Sequence, residues 1–267
     1  MNSEVQTSDI LPTNIVVLKI GGRQLDDAAF LAQLAETVRS LHERHRVVLV
    51  HGGGRAIQSW QERLGLTPQY VEGLRVTDAD SLDVAEAVLS GLINKRLVAL
   101  FLNAGVPAVG ISGVDAGLVR VEKMWHPMGD LGRVGEVQEV HPDILLALLD
   151  ANLVPVVSPI SIGHDGQTYN VNADHVAWAV AAALRAERLY FITDVPGVLV
   201  AGRPVRVMTT TQAQEWIDED IIRGGMIPKV RSAVAAVDAG VGQAIITNLE
   251  GVLKSEGTAV IWERRDG

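Results

Sequence analysis

Two glycine clusters follow the first two apolar segments of the chain, and a lysine stands beside one of them. Lys19 lies near the end of an otherwise apolar run, residues 15–20, which leads into Gly21-Gly22. A second apolar run ends at His51 and is followed by Gly52–Gly54. Glycines let the backbone approach a ligand closely and leave N–H groups that bind anions. One cluster alone is typical of a tight turn, but two after consecutive strands indicate an anion-binding surface, with Lys19 aimed into it.

Three polar residues precede a stretch of small apolar residues later in the chain. Asn170, Asn172 and Asp174 stand two positions apart, and the segment that follows has the composition of a helix. Asn and Asp are ordinary residues at a helix N-terminus, where one side chain caps the unpaired N–H groups. Three such groups exceed what one cap requires. The surplus predicts substrate contacts and an oriented carboxylate.

Other polar positions have simple structural interpretations when each is taken alone. Residues 193–197 (TDVPG) are typical of a turn, and Lys229 in the helix opening at 224–229 (GGMIPK) is ordinarily a solvated charge. His51 follows a strand, where histidine is more often a structural hydrogen-bonding residue than a base.

Several catalytic and nucleotide-binding motifs are absent from the sequence. GxxxxGK[ST] does not occur and neither glycine cluster completes GxGxxG, which argues against the usual P-loop and dinucleotide folds. HExxH and GxSxG are also missing, so zinc-protease and serine-hydrolase chemistry have little support. Without cysteine, a disulfide, an Fe–S cluster and a cysteine nucleophile are excluded. We predict no dedicated metal site.

The composition excludes further classes of protein. The 267 residues are 48% hydrophobic and carry a net charge of −9, with only 4% aromatic residues. Such a chain lacks the basic charge and the stacking surfaces of a nucleic-acid-binding protein. Residues 1–14 contain no Lys, Arg or apolar run and do not resemble a signal peptide, and Pro107 and three glycines interrupt the uncharged stretch 97–114. We therefore expect a cytoplasmic protein that binds neither nucleic acid nor membrane.

Short β-branched runs alternate with helical patterns along the chain. This order predicts βαβ units, an α/β fold and a mostly parallel sheet. The predicted strands cover 14–20, 46–50, 106–111, 153–159 and 189–193, and the predicted helices cover 27–45, 77–103, 141–151 and 173–186. Residues 118–140 differ, since their glycines and β-rich pieces predict hairpins over the sheet edge or the active site. We predict one continuous domain with two lobes.

Taken together, these motifs resemble the amino-acid kinase family over residues 16–262. The matching pieces, in order, are LKIGG, VVLVHGGG, EGLRVTDAD, INKRLVALFLNAG, VGISGVDAGL, DLGRVGEV, PVVSPI, YNVNADHVAWAVAAAL, ITDVPGVL, GGMIPKV and EGTAVI. The resemblance implies a three-layer α/β/α sandwich around an open, mainly parallel sheet, as in carbamate kinase. It also implies ATP with Mg²⁺ as phosphoryl donor and N-acetyl-L-glutamate as the small-molecule acceptor, phosphorylated at its γ-carboxylate in arginine biosynthesis.

The resemblance also implies roles for individual residues. It assigns transition-state charge stabilisation to Lys19 and Lys229 and their orientation to Asp174. It assigns acyl-substrate binding to Gly53, Gly54, Arg75, Asn170 and Asn172, and nucleotide binding to Gly21, Gly22, Gly52, Asp194, Val195, Pro196, Gly197, Val198, Leu199, Ile221, Ile222 and Arg223. The implied organisation is a tail over 1–13, an acyl-binding lobe over 14–187 and a nucleotide-binding lobe over 188–267.

Two alternatives and one assembly follow from the same resemblance. The chain could phosphorylate glutamate or aminoadipate carried on an acidic amino-group carrier protein, which would require a basic entrance to the site. It could also be a catalytically silent amino-acid sensor, although the presence of Lys19, Asp174 and Lys229 together argues against that. Arginine-sensitive relatives use a helix ahead of the first strand to join dimers into a hexamer. Residues 1–13 are too short for such a helix, so we expect a homodimer.

Overall fold

Strands and helices alternate along most of the chain, as predicted. The computed structural model describes residues 14–72 and 74–262. The strands are β1 (Ile15–Ile20), β2 (Arg46–His51), β3 (Gln69–Val71), β4 (Leu74–Val76), β5 (Ala108–Ser112), β6 (Val119–Lys123), β7 (Val134–Val140), β8 (Val154–Ser158), β9 (Ile160–Gly163), β10 (Thr168–Val171), β11 (Arg188–Ile192), β12 (Leu199–Val200), β13 (Arg203–Pro204), β14 (Val207–Thr209), β15 (Gln243–Thr247) and β16 (Thr258–Ile261). The helices are α1 (Ala28–His42), α2 (Gly54–Arg63), α3 (Ala79–Glu86), α4 (Asn94–Asn103), α5 (Asp143–Asp150), α6 (Ala173–Ala183), α7 (Thr210–Asp218), α8 (Met226–Asp238) and α9 (Leu249–Lys254).

Eight strands form the central sheet in the order β14-β16-β15-β11-β1-β2-β8-β5. Every neighbouring pair is parallel except β15 and β16. β1 lies near the middle, where Lys19 is in register with Val50 on β2 and Phe191 on β11. The predicted open, mainly parallel sheet is therefore confirmed, and β1 is paired on both sides.

Helices cover both faces of this sheet, and β1 shows how its sequence serves both. Alternate residues of a strand point to opposite faces. Ile15 and Val17 belong to the core beneath α5–α8, whereas Val16, Leu18 and Ile20 belong to the core beneath α1–α4 and α9. All five are buried, and each contributes about 1.5–3 kcal/mol of hydrophobic stabilisation. This arrangement is the three-layer α/β/α sandwich that the resemblance implied.

A second group of strands stands apart from the central sheet. The hairpin β6–β7 pairs with β9 and β10, and the four strands close into a ring in the order β10-β7-β6-β9. A separate two-stranded hairpin, β3–β4, precedes α3 in the chain. The prediction of hairpins within 118–140 is confirmed, but it did not include the closure of that hairpin by β9 and β10.

The helical stretch after β4 differs in two details from its prediction. The helix begins at Ala79 rather than at residue 77, because Asp78 is its N-cap and the Asp78 carboxylate accepts the N–H of Ser81 at 2.8 Å. The backbone of Thr77 is instead tied to the neighbouring loop, where its N–H donates to the carbonyl of Leu131. Between α3 and α4, residues Ala87–Ile93 form a π-helical segment that the sequence pattern did not predict.

The described residues contain no helix long and apolar enough to cross a membrane. The predicted tail, residues 1–13, lies outside the described part of the chain.

Candidate active site

A buried ion pair occupies the carboxyl end of β1. Alternation along β1 turns Lys19 toward the face covered by α6, whose second residue is Asp174. Lys19 Nζ lies 2.7 Å from Asp174 Oδ1, with the two side chains 9% and 11% exposed. The carboxylate of Asp174 compensates the charge of a lysine that lies in an otherwise apolar strand. The ammonium group is therefore held at a fixed point at the carboxyl-terminal end of β1, in the middle of the sheet.

The cluster Asn170, Asn172 and Asp174 divides into three different roles. Asn172 is the N-cap of α6, and its side-chain oxygen accepts the N–H of Asp174 at 2.8 Å. Asn170 lies on β10, where its amide donates to Thr77 Oγ1 at 3.3 Å. Asp174 is left to pair with Lys19. The expectation that one cap does not account for all three residues agrees with this geometry.

The two glycine turns that follow β1 and β2 pack directly against each other. A Cβ on Gly22 would lie 2.6 Å from the Cα of Gly53, which is closer than real Cβ atoms approach. A Cβ on Gly53 would meet the side-chain ends of Ile93 and Leu89 at 2.4 and 2.6 Å. Only glycine fits this contact without movement of the backbone. In contrast, the Cβ positions of Gly21 and Gly54 face open space.

One cleft beside these turns, which we call the acyl-side cleft, has a volume of about 310 Å³. Its polar lining contains Lys19, Gly52–Gly54, Arg75, Asn170 and Asn172. The predicted acyl-binding residues are thus brought together, and Gly52, which was assigned to the nucleotide, lies with them. Apolar side chains complete the lining: Ile57, Tyr70, Leu74, Leu89, Met124, Val134 and Val171.

Arg75 is held at the wall of the acyl-side cleft by groups that the sequence did not identify. Its guanidinium donates to the carbonyl of Gly54 at 2.9 Å and to Gln61 Oε1, and it lies 4.9 Å above the ring of Tyr70. The fully buried amide of Gln61 in turn donates to Ser81 Oγ at 2.8 Å. Burial lowers the pKa of Arg75, but arginine remains charged in proteins. A planar cation fixed in this way suits a carboxylate.

The second cleft, which we call the nucleotide-side cleft, has a volume of about 390 Å³. It is lined by Gly21, Gly22, Gln24, Ile192, Thr193, Asp194, Val195, Gly225, Met226 and Lys229. The Lys229 ammonium group donates to the carbonyl of Gly225 at 3.4 Å. Gly22 lines both clefts, so the two meet at the contact between the glycine turns.

Not all of the residues assigned to the nucleotide line this cleft. Asp194 and Val195 do, but Gly197 packs against Thr258 and the buried Val198 donates its N–H to Thr258 Oγ1 at 2.8 Å. Pro196 and Leu199 flank this pair and are also outside the lining. Farther along the chain, Ile222 is buried in the core, while Ile221 and Arg223 are exposed beside it. These residues reach a nucleotide only if they contact parts of it that extend beyond the cleft.

The N-terminus of a helix contributes to the lining of each cleft. Gly53 and Gly54 begin α2 at the acyl-side cleft, and Gly225 and Met226 begin α8 at the nucleotide-side cleft. Unpaired N–H groups and the helix dipole make such termini favourable for anions. With Lys19 and Lys229 added, the joined clefts can bring two anionic molecules together and offset their repulsion. Among the residues that the structure describes, no group of three or more His, Asp or Glu is placed to hold a metal ion.

Known proteins are similar to this chain in sequence and in fold. The model of the amino acid kinase family matches residues 14–248. The curated acetylglutamate kinase of Roseiflexus sp. (strain RS-1) is 53% identical over 249 residues, which are 93% of this chain and 94% of the relative. A crystal structure from Streptococcus mutans UA159 is 32% identical with a TM-score of 0.81, over 94% of this chain and 100% of that one. Giardia carbamate kinase, 18% identical with a TM-score of 0.70 over 94% and 99%, shares the fold.

Proposed function

The chain belongs to the amino acid kinase family, and on that premise we propose that it catalyses the ATP-dependent phosphorylation of N-acetyl-L-glutamate. The product is N-acetyl-γ-glutamyl phosphate, an intermediate of arginine biosynthesis. The observation that carries the proposal is the meeting of two anion-binding clefts at Gly22, beside the Lys19–Asp174 ion pair. Curated relatives named acetylglutamate kinase over nearly their whole length support the choice of substrate.

N-acetyl-L-glutamate is proposed to bind in the acyl-side cleft. Arg75 is placed to hold one substrate carboxylate with its planar fork, and Asn170 to hydrogen-bond the acetylamino group. The apolar side chains of the lining suit the methyl and methylene groups. The substrate's γ-carboxylate is then directed toward Lys19 and the N–H groups of Gly53 and Gly54.

ATP, which brings Mg²⁺ with it, is proposed to bind in the nucleotide-side cleft with its phosphates toward Gly21, Gly22 and the N-terminus of α8. An oxygen of the γ-carboxylate attacks the γ-phosphorus, and ADP leaves. Phosphoryl transfer requires mainly positioning and charge stabilisation from the protein. Lys19 and Lys229 supply positive charge from the two clefts, and Asp174 fixes Lys19. Asn172 holds the start of α6, and therefore Asp174, in place.

The division of labour between the two parts of the chain is also proposed. Residues 14–187 supply the acyl-side cleft and residues 188–262 most of the nucleotide-side cleft, with Gly21, Gly22 and Gln24 contributed by the first part. We further propose a cytoplasmic homodimer, which sedimentation equilibrium tests through a mass of twice 28.6 kDa.

A coupled assay of ADP release tests the proposed reaction. The purified chain is offered acetylglutamate, glutamate, aspartate, carbamate and UMP in turn, with Mg-ATP. Turnover confined to acetylglutamate, with the acyl phosphate trapped as its hydroxamate, is the expected result. Faster turnover of glutamate joined to a carrier protein would contradict the proposal that free acetylglutamate is the substrate. Ligand binding without ADP release would indicate a sensor instead.

A further inference from the structure

Beneath the Gly52–Gly54 turn lies a buried polar pair that the proposed reaction does not use directly. His51 ends β2 and Asn94 begins α4, and both residues are fully buried. Asn94 Nδ2 lies 3.2 Å from His51 Nε2, and His51 Nδ1 lies 3.2 Å from the carbonyl oxygen of Gly52. The imidazole thus connects helix α4 to the first residue of the glycine turn.

The partners of Asn94 determine which way its amide and the imidazole are arranged. Asn94 Nδ2 also faces the carbonyl oxygens of Val156 at 2.8 Å and Ile111 at 3.3 Å. Its side-chain oxygen accepts from Lys95 Nζ at 3.2 Å. The amide therefore presents N–H groups to His51, so Nε2 is the acceptor and Nδ1 carries the proton that it donates to Gly52. The two N–H groups of Asn94 are thus shared among three acceptors, and the neutral imidazole of His51 has one compatible tautomer.

The π-helical segment 87–93 explains why Asn94 reaches this position. Its i→i+5 hydrogen bonds widen the helix, so residues four and five apart share one side. Leu89 and Ile93 lie under Gly53, while Asn94 lies beside His51. This part of the chain thus supports the glycine turn in two ways. Leu89 and Ile93 make apolar contacts with it, and Asn94 is hydrogen-bonded to His51. The N–H of Gly52 completes the attachment by donating to the carbonyl of Ile20 at 3.0 Å.

We propose that His51 and Asn94 are positioning residues that hold the Gly52–Gly54 turn in the geometry required for phosphoryl transfer. The inference rests on the proposed function, since it assigns the turn to the acyl substrate and the transferred group. It predicts an effect on one cleft, because Gly52–Gly54 line the acyl-side cleft and not the nucleotide-side cleft. A displacement of about 1 Å in such a group lowers a rate by about 10²-fold.

The test uses His51→Phe, which keeps an aromatic ring, although a larger one, and removes both nitrogen contacts, and Asn94→Leu, which removes the amide. Thr37→Val is the matched control. Thr37 is also fully buried among the helices of the same lobe, and its hydroxyl donates to Gln33 O at 2.8 Å on α1. For His51→Phe and Asn94→Leu we expect kcat to fall about 10- to 100-fold and the acetylglutamate KM to rise, with the ATP KM changed less than about twofold. Thr37→Val is expected to lower the melting temperature without these kinetic changes.

A readout independent of turnover separates this inference from the proposed function. Amide hydrogen exchange at Gly52, measured by NMR, is expected to be about tenfold or more faster in His51→Phe than in Thr37→Val. Exchange and kinetics like those of Thr37→Val, an equal rise in the ATP KM, or failure of both variants to fold would each overturn the positioning role. An inactive wild-type protein would overturn the proposed reaction, and the exchange comparison would still decide whether the pair holds the turn.

Discussion

The acyl-side and nucleotide-side clefts are built in different ways. On the acyl side, Lys19 and Asp174 are both buried, and Arg75 is held by Gly54 and the buried Gln61. On the nucleotide side, Asp194 and Gly225 are exposed, and Lys229 is half-buried on the first turn of α8. The acyl-side cations are thus fixed before any ligand arrives.

This difference follows from where the residues lie in the chain. The acyl-side groups stand on or directly beside β1, β4, β10, α2 and α6. On the nucleotide side, residues 193–195 stand on the loop after β11 and Gly225 on the loop before α8, whose first turn carries Lys229. Loops adjust more readily than strands and helices. A small dianionic substrate gains little binding energy, so a prearranged site lowers the ordering cost of binding it. A triphosphate has more contacts available to organise a looser cleft.

Replacement of the two lysines should have the largest effect and separate the two clefts. Lys19→Ala and Lys229→Ala are each expected to lower kcat about 10²-fold or more, with smaller changes in either KM, because a preorganised charge acts on the charge that develops in transfer. Lys19→Ala should also lower the melting temperature more, since it leaves Asp174 buried without its partner. Steady-state kinetics and thermal unfolding measure both effects.

Lys254→Ala is the control for these lysine variants, because Lys254 is exposed on α9 in a pair with Glu250. It should change neither quantity. A normal kcat with weakened binding in Lys19→Ala would show that Lys19 makes an ordinary ground-state contact.

Variants at the contact between the two glycine turns should have the next largest effect. Gly22→Ala places a methyl group against the backbone of Gly53, whereas Gly21→Ala places one in open space. We expect the first variant to lose about 1–3 kcal/mol of stability and to raise the KM of both substrates, because both clefts share this contact. Gly21→Ala should keep its melting temperature and alter at most the ATP KM. Equal melting temperatures would mean that the turns separate at no cost.

Much of this fold could be predicted because its signals are local. The apolar run of β1 predicted a buried strand, and the alternation of elements predicted the parallel sheet; the structure confirms both. The functional role of Lys19 within that strand stays a prediction. Long-range partners gave no such signal. Gln61 is fixed by Ser81, twenty positions away, and Gly197 is buried by Thr258. Those contacts depend on the packed structure.

Local patterns also failed where two choices were chemically equivalent. Thr77 and Asp78 are both good N-caps, and the choice of Asp78 depends on the pairing of Thr77 with the loop at Leu131. The π-helical segment has apolar spacing like that of an α-helix, so its extra residue is invisible in the pattern. Its consequence, the placement of Asn94 beside His51, was therefore missed.

Acidification should lower the stability of the fold, because His51 beneath the Gly52–Gly54 turn is buried in its neutral form. Burial lowers the pKa of His51 to about 4, below its value of about 6.5 in an unfolded chain. The unfolded state therefore binds an extra proton between these values, so stability is full above pH 6.5 and falls as the pH drops toward 4. The loss attributable to His51 is about 2 kcal/mol at pH 5. Denaturant unfolding at pH 7.5, 6 and 5 measures it.

The contribution of His51 is isolated by difference from His51→Phe, since other histidines also titrate in this range. The wild type should lose more stability than this variant over the same interval. Thr37→Val serves as the control, because it replaces another fully buried polar side chain that does not titrate, so the wild-type slope should be unchanged. Parallel pH profiles for the wild type and His51→Phe would mean that the pKa of His51 is not lowered in the native state.

The smallest expected effect tests whether fixed geometry or charge alone matters on the acyl side. Arg75→Lys keeps the positive charge but loses the planar fork that contacts Gly54 and Gln61. We expect the acetylglutamate KM to rise about tenfold, equivalent to about 1.4 kcal/mol, with the ATP KM nearly unchanged. Arg223→Lys, on the exposed side of the nucleotide-side loops, should change the ATP KM by less than about twofold, because that region does not depend on a prearranged guanidinium. If Arg75→Lys instead weakened ATP, Arg75 would belong to the nucleotide site, and the contrast between a fixed acyl-side cleft and a looser nucleotide-side cleft would be wrong.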